Sequence, residues 1–201
     1  GSHMVRALAD AGCRSVVLDN FSTGHRDAVT GEVVEGAMQD AAAVERAVRA
    51  IGATSAMHFA SFIRVDESVA DPQKYFANNV GNTERLLERL VELGVRRVVF
   101  SSSAAVYGEP GTPLLDESHP LRPVNPYGES KLMVEQMLKW FDVCHGLRSV
   151  ALRYFNAAGA ALYQFTWASP NCTTTVCHGG RSVAWNGAAD GSCHLCHSYV
   201  G

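Results

Sequence analysis

The sequence is poor in charge where it ends. Residues 161–201 carry one basic side chain, Arg181, and one acidic, Asp190, against 16 basic and 19 acidic in residues 1–160. The whole chain of 201 residues has no excess of one sign, with a formal charge of −3, and a strongly basic nucleic-acid binder is excluded. No stretch approaches the ~20 consecutive apolar residues of a membrane span. The opening Gly1-Ser2-His3-Met4 lacks the basic region and apolar core of a secretory signal, so a cytoplasmic location is expected. Six cysteines are too few for a disulfide scaffold of this length. Four of them, Cys172, Cys177, Cys193 and Cys196, fall in the charge-poor segment. Apolar content of 47% with 18% charged residues excludes a disordered chain. These averages describe two unlike parts, with a seam near Ala160.

Residues 1–160 alternate between two patterns. Short apolar runs bounded by turns predict buried parallel strands at Ser15–Asp19, Val33–Glu35, Ser55–Ala60, Arg97–Ser101 and Ser149–Phe155. Helical patterns lie between them. Asp40 is placed to cap a helix carrying Val44, Ala47, Val48 and Ile51. Asp71-Pro72 starts a helix expected to run to about Leu93, and Asn125-Pro126 starts one running to about Gly146. This alternation predicts a doubly wound, Rossmann-type α/β domain over residues 1–160. Residues 161–201 show no sustained period, and no internal repeat is present.

Tyr127 and Lys131 lie four residues apart at a helix start, so their side chains share one face. A tyrosine hydroxyl is a poor base at neutral pH. A neighbouring ammonium and the helix N-terminus both favour its phenolate, which suits proton transfer at an alcohol or sugar hydroxyl. The pair alone is also what an ordinary surface helix would carry. Upstream, Val98-Val99-Phe100 runs into Ser101-Ser102-Ser103, a strand emptying into a hydroxyl-rich turn. Ligands of open α/β sheets bind at such strand ends, where Ser103 would meet a substrate hydroxyl. Asp19, with Asn20 after it, closes the run Val16-Val17-Leu18. An acid there is where a dinucleotide fold binds a ribose, and it favours NAD over the 2′-phosphorylated form.

Together these residues resemble the UDP-glucose 4-epimerases within the extended short-chain dehydrogenase/reductase family. The resemblance runs from Gly1 to about Ala160. It is carried by Leu18-Asp19-Asn20-Phe21, His58-Phe59-Ala60-Ser61, Asn78-Asn79-Val80, Ser101–Gly108, Tyr127–Lys131 with Leu132-Met133-Val134-Glu135, and Arg153-Tyr154-Phe155-Asn156-Ala157-Ala158-Gly159. Related dehydratases carry an Asp-Glu pair where this chain has Ala104-Ala105, which weighs against dehydration. The resemblance implies that Tyr127, Lys131 and Ser103 are catalytic, acting on C4 of a UDP-hexose through a 4-keto intermediate. NAD would be lined by Gly1, Asp19, Asn20, Phe59, Ala60, Asn79, Ser101, Tyr127, Lys131, Tyr154 and Phe155. The substrate would meet Ser103, Tyr127 and Asn156. A homodimer through Pro72–Leu93 and Pro126–His145 is also implied.

Gly1 aligns with the last glycine of the family's Gly-x-x-Gly-x-x-Gly loop, so the first, central strand and two glycines are absent. That strand would bury ~4 large apolar side chains, each contributing ~1.5–3 kcal/mol. The sum rivals the ~5–15 kcal/mol net stability of a domain. The acid expected after Gly36 is replaced by Ala37. Nothing after Ala160 matches the family, and the rise in Cys, His, Trp and Thr reads as a shifted frame. The chain alone is expected to be an inactive fragment with a disordered tail and no metal. Two alternatives remain. One is a non-catalytic dinucleotide-binding fragment whose tail holds zinc through Cys172, Cys177, Cys193 and Cys196. The other is a 4-epimerase for another nucleotide sugar.

Overall fold

The computed structural model describes residues 1–111, 115–155, 171–172 and 183–184. A first helix, α1 (Ser2–Asp10), leads to β1 (Val16–Asp19), β2 (Glu32–Glu35) and α2 (Ala41–Ile51). Strand β3 (Ser55–His58) is followed by α3 (Val65–Ala70), α4 (Pro72–Tyr75) and α5 (Asn82–Glu92). Next come β4 (Arg97–Ser103), the long α6 (Pro126–His145) and β5 (Arg148–Tyr154). Asn171–Cys172 and Val183–Ala184 form a short antiparallel pair. The rest of the tail, with Cys177, Cys193 and Cys196, lies outside the described residues.

Each helix start follows from its sequence. Asp40 accepts from the N–H groups of Ala42 and Ala43 at 3.0 and 3.1 Å. Asp71 accepts from Lys74 at 3.1 Å and Asn125 from Gly128 at 2.8 Å. These bonds satisfy donors that a helix leaves unpaired. Gly52 and Gly146 end α2 and α6 in the left-handed conformation, which costs glycine little.

Strands β1 to β5 are all parallel and lie in two separate sheets. One holds β1 and β2, and the other has the order β3-β4-β5. Among the described residues no backbone pairing joins β1 to β3. The expected doubly wound topology is present with its centre divided, as a sheet without its first strand would be. The halves share one core. Leu18 of β1 and Val44 of α2 pack with Leu87, Val98, Phe100, Val134 and Leu138. Arg89 of α5 also reaches Glu45 of α2 at 2.5 Å.

Every strand differs from the sequence expectation by one or two residues at an end, and three of the differences in boundaries have a local cause. Strand β3 stops at His58 because the Ala60 N–H turns back to His58 Nδ1 at 3.3 Å. Strand β4 continues to Ser103, which pairs with Tyr154. The single helix expected from Pro72 is interrupted by a π turn at Phe76–Gly81. Such turns insert one residue into the helical ladder, and here it contains the buried Asn79. Helix α3 was too short to leave a period in the sequence.

Candidate active site

The carboxyl ends of β3, β4 and β5 open on one edge, since the strands are parallel and in register. Lys131 enters this edge from the second turn of α6. It is buried, and its Nζ donates to the Ser101 carbonyl at 2.8 Å. The same nitrogen lies 4.8 Å from the Phe100 ring centre and 5.8 Å from that of Tyr127. The shared helix face expected for Tyr127 and Lys131 is therefore realised.

Burial brings the Lys131 amine from 10.5 down to about 7. Between those values the unfolded chain binds the extra proton, so this group's contribution to stability rises with pH across that window. Lys131→Met should stabilise the chain at pH 7 by about 1–3 kcal/mol, with the gain vanishing near pH 10.5. Urea unfolding at the two pH values checks this. A variant equally stabilised at both would remove the burial argument.

Tyr127 is fixed through its backbone and its ring. Its N–H donates to Ser68 Oγ at 3.2 Å. Its ring meets Tyr75 edge-on, with centres 6.5 Å apart. Tyr75 donates to Glu67 at 2.9 Å and accepts from the Arg64 N–H at 2.9 Å. Burial and the Glu67 hydrogen bond push its hydroxyl up to about 12, so Tyr75 stays protonated while it buttresses Tyr127.

Ser103 heads a 3-10 turn, Ala104–Tyr107, and its Oγ accepts from the Ala105 N–H at 3.2 Å. The serine thus caps its own turn while remaining half-buried at the edge. The turn lies directly on α6. A Cβ on Gly128, the residue after Tyr127, would stand 2.6 Å from the Ala105 carbonyl oxygen. Only a glycine lets the elements carrying Ser103 and Tyr127 come this close.

Asn79 is wholly engaged within the protein. Its Oδ1 accepts from the Phe62 N–H at 2.8 Å and from Asn78 at 3.0 Å. Its Nδ2 donates to the Phe62 carbonyl at 3.0 Å and to Ser130 Oγ at 3.1 Å. Asn79 therefore ties the loop containing Phe59 and Ala60 to α6, with no free amide position of its own. Tyr154 and Phe155 stand exposed where β5 ends. Asn156 lies outside the described residues.

A second group of candidates gathers at the end of β1. Asp19 Oδ1 accepts from the Phe21 N–H at 2.8 Å, and Asn20 accepts from Ser22 at 3.1 Å. The Gly1 amino group, at the N-terminus of α1, is lowered by burial and raised in part by the Asp19 charge. Gly1 caps the N-terminus of α1, where a helix can hold a phosphate, and Asp19 ends β1, where an acid can bind a ribose. Among the described residues, no group of three or more His, Cys, Asp or Glu could hold a metal.

Several residues of the site were not read from the sequence. Glu135 is buried one helical turn beyond Lys131 and accepts from Ser102 Oγ at 2.5 Å. Arg153 grips the same carboxylate at 2.7 Å. Glu135 follows Lys131 at the spacing that joined Lys131 to Tyr127, so periodicity could have found it. His58, Thr83 and Ser130 carry no such spacing.

The family model described as "NAD dependent epimerase/dehydratase family" matches residues 1–172. UDP-glucose 4-epimerase of Azospirillum brasilense is 48% identical over 162 residues, covering 80% of this chain and 47% of that protein. The enzyme of Lacticaseibacillus casei is 47% identical, covering 80% and 49%. The crystal structure of UDP-glucose 4-epimerase from Brucella ovis in complex with NAD superimposes with a TM-score of 0.76 at 45% identity, covering 78% of this chain and 48% of that one. The chain spans about half the length of the curated relatives it matches.

Proposed function

Because this chain belongs to the NAD dependent epimerase/dehydratase family, we propose that it carries the dinucleotide-binding and proton-transfer half of a UDP-hexose 4-epimerase. The observation that carries this reading is the placement of Lys131 between the Ser101 carbonyl and the Tyr127 ring, beside the turn headed by Ser103.

The residues suit NAD. Gly1 caps α1 and Asp19 ends β1, and Tyr154 and Phe155 expose their rings where β5 ends. When bound, NAD would take hydride from sugar carbon 4 and return it. Tyr127 would remove the proton from the 4-hydroxyl and give it back. Protonated Lys131 would stabilise negative charge on the Tyr127 oxygen. Ser103 would donate to the sugar 4-oxygen and steady it in the 4-keto intermediate. Asn156 would meet the nucleotide sugar. Ala104 and Ala105 offer no acid to expel a hydroxyl from carbon 6, which supports epimerisation over dehydration.

A homodimer is supported by Met133, Trp140 and Val143, which leave α6 with an exposed apolar stripe opposite its buried one. No helix among the described residues is long and apolar enough to cross a membrane, and we place the protein in the cytoplasm.

The test is direct. The full chain is incubated with NAD and UDP-galactose, and the sugar products are separated while reduced nicotinamide is followed optically. UDP-glucose, or reduced nicotinamide retained with a 4-keto sugar, supports the proposal. A 4-keto-6-deoxy product would convert it to a dehydratase. Bound NAD with an unaltered sugar is the outcome expected of the fragment alone, and failure to bind NAD would overturn the proposal.

A further inference from the structure

Ser103 stands on a short turn, and the turn's position is set from behind. Residues 103–106 are bracketed by Ser102 and Tyr107, both buried. Ser102 Oγ donates to Glu135 Oε1. Tyr107 accepts from Arg153 Nη1 at 2.9 Å, with the guanidinium 5.0 Å from the ring centre. Arg153 and Glu135 are themselves joined by a fork, through Nε at 3.1 and 3.3 Å and Nη2 at 2.7 Å. One guanidinium–carboxylate unit therefore holds both ends of the segment that presents Ser103.

We propose that the Glu135–Arg153 pair is a positioning device that fixes Ser103 relative to Tyr127 and Lys131. Glu135 lies four residues from Lys131 and eight from Tyr127, on the same face of α6. The same helix therefore supplies the proton-transfer pair and the anchor for the serine. Side-chain exposures of 13% for Arg153 and 5% for Glu135 leave water little chance to compete. An apolar pair could fill this volume and often stabilises as well. The ion pair adds direction, because a planar fork accepts a carboxylate in few orientations.

The inference rests on the reading of Ser103 as the donor to the sugar oxygen, and its test uses neither sugar nor dinucleotide. Amide hydrogen exchange is measured by NMR on the full chain, comparing Ala105, whose N–H is capped by Ser103, with Val98 and Phe100 in β4. Arg153→Lys keeps the charge and loses the fork. Glu135→Met with Arg153→Met removes both charges and keeps the volume. Both should speed exchange at Ala105 by about tenfold while Val98 and Phe100 change by less than about twofold. A purely structural pair would raise all three together or, in the apolar double variant, none. Either result overturns the proposal. Glu135→Gln, of the same shape, supplies the same comparison if a variant fails to fold. Failure of the chain to bind NAD would refute the proposed function and leave this result standing.

Discussion

Acidification from pH 6.5 to pH 3 is expected to remove as much as about 4–5 kcal/mol of stability through one residue, His58. The imidazole is buried at the end of β3, 5.4 Å from the Phe100 ring centre. Its Nδ1 accepts from the Ala60 N–H, which leaves the proton on Nε2, 2.8 Å from Thr83 Oγ1. Both nitrogens are engaged in the neutral form. Burial, and then the nearby Lys131 charge, bring the group from 6.5 down to about 3. The folded value is the lower one, so the stabilisation is complete above pH 6.5 and lost as pH falls toward 3. Urea unfolding of the native chain and of His58→Gln at pH 7 and pH 4 measures this. The variant is expected to be weaker at pH 7 and to lose about 3 kcal/mol less on acidification. Parallel losses in the two proteins would assign the acid sensitivity to carboxylates instead.

Gly108→Ala is expected to cost about 3–5 kcal/mol, enough to unfold a marginal domain. Gly108 ends the turn that begins at Ser103, with φ +68° and ψ −130°, a region open essentially to glycine alone. A Cβ there would lie 1.9 Å from the Arg122 carbonyl oxygen and 3.3 Å from Val124. The obstacle is backbone and cannot swing aside. Gly52 provides the comparison, since it has φ +63° with nothing within 4 Å of a built Cβ. Gly52→Ala should therefore cost only about 1–2 kcal/mol of conformational strain. Equal losses at the two sites, read from urea midpoints, would dismiss the close approach as the cause.

The elements that showed plainly in the sequence carry their own punctuation. Asp40, Asp71-Pro72 and Asn125-Pro126 announce helix starts whose bonds are local. The pairing of Tyr127 with Lys131 was legible because helix geometry alone determines it. What could not be read depends on long-range contact. Asn79 draws the helix into a π turn by bonding Phe62 and Ser130, 17 and 51 residues away in sequence. Arg153 was visible as part of a motif, but its hold on Glu135 requires β5 to lie beside α6. Ser103 presents the reverse case. The sequence offered it as a partner for a substrate hydroxyl, and the fold places at the site's edge a serine that also caps its own turn.

The divided sheet bears on how the chain comes apart. A continuous parallel sheet transmits the loss of one strand to the next through its ladder. Here, among the described residues, no strand ladder joins the β1–β2 pair to the β3–β5 sheet, and the two share side-chain contacts, chiefly Leu18 in the common core and the Arg89–Glu45 contact. The smaller half carries little ladder energy and can open while the larger stays closed. Calorimetry would then register more than one cooperative unit, with a van't Hoff enthalpy below the measured heat.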